Sequence, residues 1–410
     1  MKNEIDRLMQ ENKIDALLVV GPAQHNPAMY YFTGGGHITN ADLIKPQGKT
    51  PTIFHGSMER EEAAKTGLIT CSYGQFSWSE YLKKSKNNQV KAHALFYHDM
   101  FLTAGVKKGR VAIYGSTEVG AKFAIFQLFQ SLFPEYEFTG LIPDTILLTA
   151  MMVKDQNEIA RIKRMGEITT SVVGKVFTFL SNQTVNQNVL VDENHKPVTI
   201  GLIKSKINYW LAEAGAENPE QTIFAIGRDA GVPHSQGNDA DPIELGKTIV
   251  FDIFPCESGG GYYYDFTRTW CVGYAPPEVQ KLYDEVKFVY DTIVSELVVD
   301  QPFKLYQKRT CELFEGMGHP TILSNPTTLE GYVHSLGHGL GLHVHEMPFS
   351  GLAAKDNEKL VRGSVFTIEP GLYYPDKGMG VRLEDTFYVT DQGTIEKMVD
   401  FPMDLIIPVK

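Results

Sequence analysis

Four acidic residues stand inside strand-like apolar runs, and no other feature of the chain restricts its fold so severely. They are Asp252 in IVFDIF, Asp265 in YYYDFTRTW, Glu369 in FTIEPGLYY and Glu384 in GVRLEDTFYV. Asp and Glu are almost never fully buried unless something pairs with them. A chain that carries four of them into sheets must bring cations to meet them. His338, in HSLGHGLGLHVHE, lies between the two acidic pairs and adds an imidazole. Asp252, Asp265, His338, Glu369 and Glu384 are therefore candidate metal ligands.

The spacing sharpens the expectation. Asp252 and Asp265 flank Glu257-Ser258-Gly259-Gly260-Gly261, a strong turn signal. A hairpin centred between Ser258 and Gly259 sets the two aspartates directly opposite each other, on one face, with Cβ atoms about 4.5–5.5 Å apart. Glu369 and Glu384 flank Pro375-Asp376-Lys377-Gly378 in the same way, and a hairpin centred between Asp376 and Lys377 opposes them too. Opposed carboxylates repel unless a positive charge lies between them. Two divalent cations about 3.5–4 Å apart would match the four negative charges. A single acidic residue in a strand is more often an edge residue or half of a salt bridge. The ordered set of five is what points to a dinuclear site.

With these flanking motifs the chain resembles the pita-bread metallopeptidases, the family of methionine aminopeptidase, aminopeptidase P and prolidase. YDFTRT resembles the segment around that family's second aspartate, and TIEPGLY the segment around its first glutamate. The resemblance implies that Asp252, Asp265, His338, Glu369 and Glu384 hold two divalent metal ions. Oxygen donors with one imidazole suit Mn²⁺, Co²⁺ or Zn²⁺ better than thiolate-seeking ions, and Mn²⁺ is the first expectation. The resemblance also implies a hydroxide bridging the two metals as nucleophile, with Glu369 as both ligand and proton shuttle. His345, before Glu346, would stabilise the tetrahedral oxyanion. His234, in GVPHSQG, would meet the substrate or the leaving nitrogen, and His334 would line the pocket beyond the scissile bond. Arg382 either binds substrate or pairs with Asp265 or Asp252. His343 stands where the family often has an acidic residue; on a strand it would share a face with His345, in a supporting or a structural role.

At 410 residues the chain exceeds one typical domain. Residues 1–150 alternate helices and strands, with a helix over 2–13, strands over 15–20, 51–54 and 110–114, and a helix over 118–133. This reads as an α/β N-terminal domain. NPAMYYFTGG (Asn26–Gly35) resembles a segment of the creatinase/prolidase-like N-terminal domain, which methionine aminopeptidases lack. Tyr30, Tyr31 and Phe32 there either pack in a core or turn one ring toward a substrate groove. A boundary falls near Leu148–Asn157. A long amphipathic helix over 158–180 then opens the α+β pita-bread catalytic domain, residues 158–410.

Composition closes off other classes. A net charge of −11 argues against nucleic acid as a partner. The N-terminal stretch is not a signal peptide and no run reaches transmembrane length, so no membrane role and a cytoplasmic location are expected. The four cysteines form no CxxC pair and read as free thiols. By resemblance the chain forms a homodimer and takes proline-containing peptides, as an Xaa-Pro aminopeptidase or an Xaa-Pro dipeptidase. An Xaa-Pro amide has no N–H, so a wall of imidazoles and aromatics such as His334 and Tyr332 would have to recognise the ring instead. Phe254 departs from the family, which commonly has a small residue two positions after the first aspartate. It narrows the pocket or shifts preference. Two alternatives stay open: a specialised hydrolase of non-peptide C–N or ester bonds on the same metals, and a non-catalytic relative that binds peptides or proteins.

Overall fold

The computed structural model describes residues 4–409. By internal contacts the chain divides into two compact units, Met1–Met151 with Gly259–Gly261, and Met152–Ser258 with Tyr262–Lys410.

The first unit is built on a six-stranded sheet. Its order is Ile69–Ser72, Thr52–His55, Ala41–Pro46, Ala16–Gly21, Gly109–Gly115, Tyr136–Thr139. The first strand in sequence, ALLVVG, is buried at every position, which is why it reads as a continuous apolar run and sits in the interior of the sheet. The helices Glu4–Glu11 and Val119–Leu132 lie where their periodicity predicts, and the helix Gln89–Thr103 packs Tyr97, Met100 and Phe101 into the same core. The NPAMYYFTGG segment is a short helix, Pro27–Thr33. Asn26 caps it by accepting from Met29 N at 3.4 Å, and Gly34 ends it at φ +72°. Tyr30 and Phe32 are buried, so core packing accounts for both.

The second unit opens on the helix Gln156–Ser181. Asp155 and Glu158 form a reciprocal cap, with Glu158 N donating to Asp155 Oδ1 at 3.0 Å and Asp155 N to Glu158 Oε2 at 2.7 Å. Two sheets follow. Four strands run in the order Ile223–Ile226, Thr248–Ile253, Phe266–Val272, Ile406–Ile407. Five run in the order Glu346–Phe349, His338–Gly339, Val365–Ile368, Asp385–Val389, Ile395–Lys397. The helices Pro277–Glu296 and Lys304–Gly316 cover a core that includes Tyr332, Phe366, Ile368 and Phe387. Among the described residues no helix is long and apolar enough to cross a membrane. All four cysteines are buried and free.

The two hairpins behave differently from one another. In the second, Gly371 faces Arg382 and Ile368 faces Asp385. Both ladders share the register that centres between Asp376 and Lys377, as the sequence predicts. In the first, Asp252 faces Thr267, not Asp265. The same register continues to a bridge between Cys256 and Tyr263, which centres the turn between Gly259 and Gly260. Those two residues have φ of +88° and +77°. A two-residue hairpin turn of the favoured twist needs positive φ at both central positions. Gly259 and Gly260 provide that, and Ser258 is poorly suited to it. Moving the centre by one residue moves the register by two, so Asp265 keeps the face of Asp252 but lies diagonally from it, at a typical spacing of about 7–8 Å.

Candidate metal centre and active site

The five candidate ligands arrive from five separate stretches of the second unit. Asp252 lies near the end of the strand Thr248–Ile253, and Asp265 immediately precedes Phe266–Val272. His338 begins a two-residue strand held between two longer ones. Glu369 follows Val365–Ile368, and Glu384 bridges to Thr267, with Glu384 N donating to Thr267 O at 3.1 Å. Thr267 thus faces Asp252 on one side and Glu384 on the other. Its hydroxyl donates to Glu384 Oε2 at 2.7 Å. All five ligands line one cavity of about 550 Å³, and His234, His334, His345 and Arg382 line it with them.

The electrostatics are those of a cation site. Asp252 Oδ1, Asp265 Oδ1 and Glu384 Oε1 are buried with no hydrogen-bond partner among the described residues. Leaving such groups unpaired is costly. Burial first, then the neighbouring Asp252 and Glu369, pushes the Asp265 carboxyl well above its usual range. Burial and then Asp265 and Glu369 do the same to Glu384. Burial pushes Glu369 up to about 8, against the lowering influence of Arg382. Asp265, His338 and Glu384 each offer a donor atom within 4.8 Å of the other two. Unpartnered carboxylate oxygens beside one imidazole fit divalent cations.

The histidines are fixed by their partners. His338 Nδ1 lies 3.0 Å from Gly339 O. A carbonyl only accepts, so Nδ1 carries the proton and the Nε2 lone pair faces inward, 3.7 Å from Asp265 Oδ2 and 3.5 Å from Glu369 Oε1. Burial, and then His345 nearby, lowers its pKa to about 3. The ring is neutral, as a metal ligand must be. His334 is lowered to about 3 by burial and then by Arg382. Its Nδ1 donates to Ser335 O at 2.7 Å, and its Nε2 accepts from the Tyr373 hydroxyl at 2.8 Å. With both nitrogens engaged, His334 offers the cavity its carbon edge and ring face. Tyr332 does not line the cavity; it is fully buried, 5.5 Å behind His334 between ring centroids.

Arg382 pairs with Asp252, not Asp265. Nη2 donates to Asp252 Oδ2 at 2.6 Å, Nη1 to the Tyr373 hydroxyl at 2.8 Å and Nε to Thr267 Oγ1 at 3.3 Å. The guanidinium therefore holds a candidate ligand and, through Tyr373, the ring of His334. Residues 340–345 form no strand. The segment turns around the Glu346 carboxylate, which accepts from Lys154 Nζ at 2.6 Å and from His343 N at 3.0 Å. His345 reaches the cavity and His343 does not, so the shared face expected for the pair is absent. Burial lowers the His345 pKa, and the nearby Glu220 opposes that. Phe254 lines the cavity and packs on Ile223, Ala225, Ala230 and Val250.

Comparison with known proteins now bears on this geometry. The profile of metallopeptidase family M24 matches residues 160–391, which span Asp252 to Glu384. The chain belongs to metallopeptidase family M24. The chain is similar to the Xaa-Pro dipeptidase of Pyrococcus furiosus, 25% identical over 398 residues, covering 96% of this chain and 97% of that one. The Xaa-Pro dipeptidase of Pyrococcus horikoshii is 27% identical over 396 residues, covering 95% and 94%. Among solved structures, a Pyrococcus horikoshii dipeptidase superposes with a TM-score of 0.74 at 21% identity over 98% of both chains. The X-Pro aminopeptidase of Thermotoga maritima gives 0.73 at 23% identity over 98% and 99%. The fold is accordingly an α/β N-terminal part followed by the pita-bread catalytic fold, and an M24 site is a divalent-metal site. Sequence reasoning passed over Tyr373, Thr267, Lys154 and Glu220. Only Tyr373 left a signal, as an aromatic within TIEPGLYY.

Proposed function

We propose that the chain hydrolyses Xaa-Pro peptide bonds, with Xaa-Pro dipeptides as the first substrate class and longer Xaa-Pro peptides as the second. The observation that carries this reading is the cavity that gathers four carboxylates and the inward lone pair of His338, with three buried carboxylate oxygens lacking partners. Support for the substrate class comes from the relatives named Xaa-Pro dipeptidase, which match over nearly their full length.

In this reading Asp252, Asp265, His338, Glu369 and Glu384 hold two divalent ions, Mn²⁺ before Co²⁺ or Zn²⁺. Bound there, such ions supply a Lewis acid for the carbonyl and a water of lowered pKa. Glu369 takes the proton of the attacking water and passes it to the leaving proline nitrogen. His345 and His234 reach the cavity from another wall and donate to the oxygen that gains negative charge. His334 packs its ring on the pyrrolidine, oriented by Tyr373. Arg382 acts on substrate through Asp252 and Tyr373. The reading extends to a homodimer, and to the cytoplasm, where four free buried thiols are at home.

The test strips the protein of metal, restores Mn²⁺ and follows release of free amino acid from Ala-Pro, Ala-Pro-Ala and Ala-Ala-Ala. Metal-dependent cleavage of Ala-Pro, with Ala-Ala-Ala untouched, is expected. Turnover of Ala-Pro-Ala alone would move the enzyme to the aminopeptidase P type. No cleavage of either proline peptide with Mn²⁺, Co²⁺ or Zn²⁺ refutes the assignment.

A further inference from the structure

One acidic group in the active-site cavity has no task in that chemistry. Glu220 lines the cavity with the candidate ligands. It is exposed, and among the described residues its carboxylate has no hydrogen-bond or ion-pair partner. The cavity's lone arginine, Arg382, is buried and tied to Asp252, and no lysine lines the cavity. Apart from its histidines, the cavity holds no cationic side chain other than the committed Arg382, so a lysine or arginine charge that meets Glu220 there comes from a ligand.

The wall leading to Glu220 is apolar. Ile223 faces Asp252 across the ladder, and Phe254 follows Asp252 by two residues on the same face. Glu220 and Phe254 leave their strands at the same end of that ladder, and both line the cavity. Phe254 is half-buried, so part of its ring remains open to the cavity. A substrate side chain that starts beside Asp252 thus runs over Ile223 and Phe254 and ends at a carboxylate. That sequence of surfaces suits a long aliphatic stem with a cationic head, which buries its methylenes and keeps its charge at a wet rim. A guanidinium can also stack on the Phe254 ring on its way.

Resting on the Xaa-Pro reading above, we propose that this wall selects basic residues before proline, so that Arg-Pro and Lys-Pro are the preferred substrates and Glu220 is the specificity-determining group. Phe254 carries the stem and Glu220 the charge. Acidic residues at that position face an unpaired carboxylate and are rejected.

The experiment compares kcat/KM of the Mn²⁺-loaded enzyme for Arg-Pro, Lys-Pro, Met-Pro and Glu-Pro. Met-Pro matches the unbranched stem without the charge. A partly exposed ion pair contributes modestly, so Arg-Pro and Lys-Pro should exceed Met-Pro by about fivefold at low salt, with the margin shrinking as salt rises. In Glu220→Gln the Arg-Pro to Met-Pro ratio should fall toward one, and in Glu220→Lys Glu-Pro should overtake Arg-Pro. Equal rates for Arg-Pro and Met-Pro in the wild type, or an unchanged ratio in Glu220→Gln, would overturn the proposal and leave Xaa-Pro hydrolysis intact. Failure to cleave every Xaa-Pro peptide would overturn both.

Discussion

Replacing Glu369 by Gln should make the metal-free protein more stable at alkaline pH while abolishing hydrolysis. The folded protein pushes the Glu369 carboxyl up to about 8 from an ordinary 4.5, mainly through burial. A carboxyl that binds its proton more tightly when folded stabilises the fold fully below the unfolded value, and that contribution is lost as pH rises through the folded one. At about 1.4 kcal/mol for each pH unit between the two values, the ionised wild type at pH 8 carries a penalty on the order of 4 kcal/mol. Gln has no charge to bury and escapes it. For a unit of this size that corresponds to a Tm difference on the order of 10 °C. The assay is thermal unfolding of metal-stripped wild type and Glu369→Gln between pH 5 and 9. The two curves should converge near pH 5 and separate by pH 8, with the variant higher. Glu369 also helps to raise Asp265 and Glu384, so Gln relieves those two carboxyls as well, and the difference reports the Glu369 charge together with its effect on them. Adding Mn²⁺ at pH 8 should raise the wild type well above its stripped form. Parallel pH profiles for the two proteins would refute the electrostatic reasoning.

Two further outcomes are expected. Tyr373→Phe removes the donor to His334 Nε2 and the acceptor for Arg382 Nη1; kcat/KM should fall about tenfold, while metal content measured by elemental analysis stays at the wild-type level. Lys154→Met leaves Glu346 buried without its cation, which should cost about 3–5 kcal/mol in urea denaturation.

The five candidate ligands stood out because an ionisable group inside an apolar strand has few tolerable fates, and the structure gathers all five in one cavity. The second hairpin's register was legible for a related reason. Pro375 and Gly378 bracket a single turn, which ends at φ +66° on Gly378. The first was misread because three consecutive glycines permit several centres, and only the requirement for positive φ at two adjacent residues chooses among them. His343 was misplaced because a period-two pattern was read into a segment that winds around Glu346. The partner that explains this winding, Lys154, is 192 residues away, and nothing local announces it. Thr267 and Glu220 were invisible for the same reason, since a threonine in a strand and a glutamate in a loop are ordinary until the fold gives them neighbours. In the first unit, helices with clear periodicity were legible. The strand Ala41–Pro46 was missed, because ADLIKP carries charges that a sheet interior normally excludes.

The bridge between Thr267 and Glu384 carries a consequence for biosynthesis. Asp252 and Asp265 are translated long before Glu384, and the residues of the early hairpin are all made while the chain is still more than a hundred residues short of its last candidate ligand. Glu384 joins that hairpin only when the strand beside it docks against Thr267. On the proposed reading, a chain stalled or truncated before that point would hold an acidic pocket with a missing wall and would not retain the ions that the finished protein keeps. On that reading, metal capture would thereby be deferred until nearly the whole catalytic unit has left the ribosome, and a firmly held ion would mark that synthesis has run to its end.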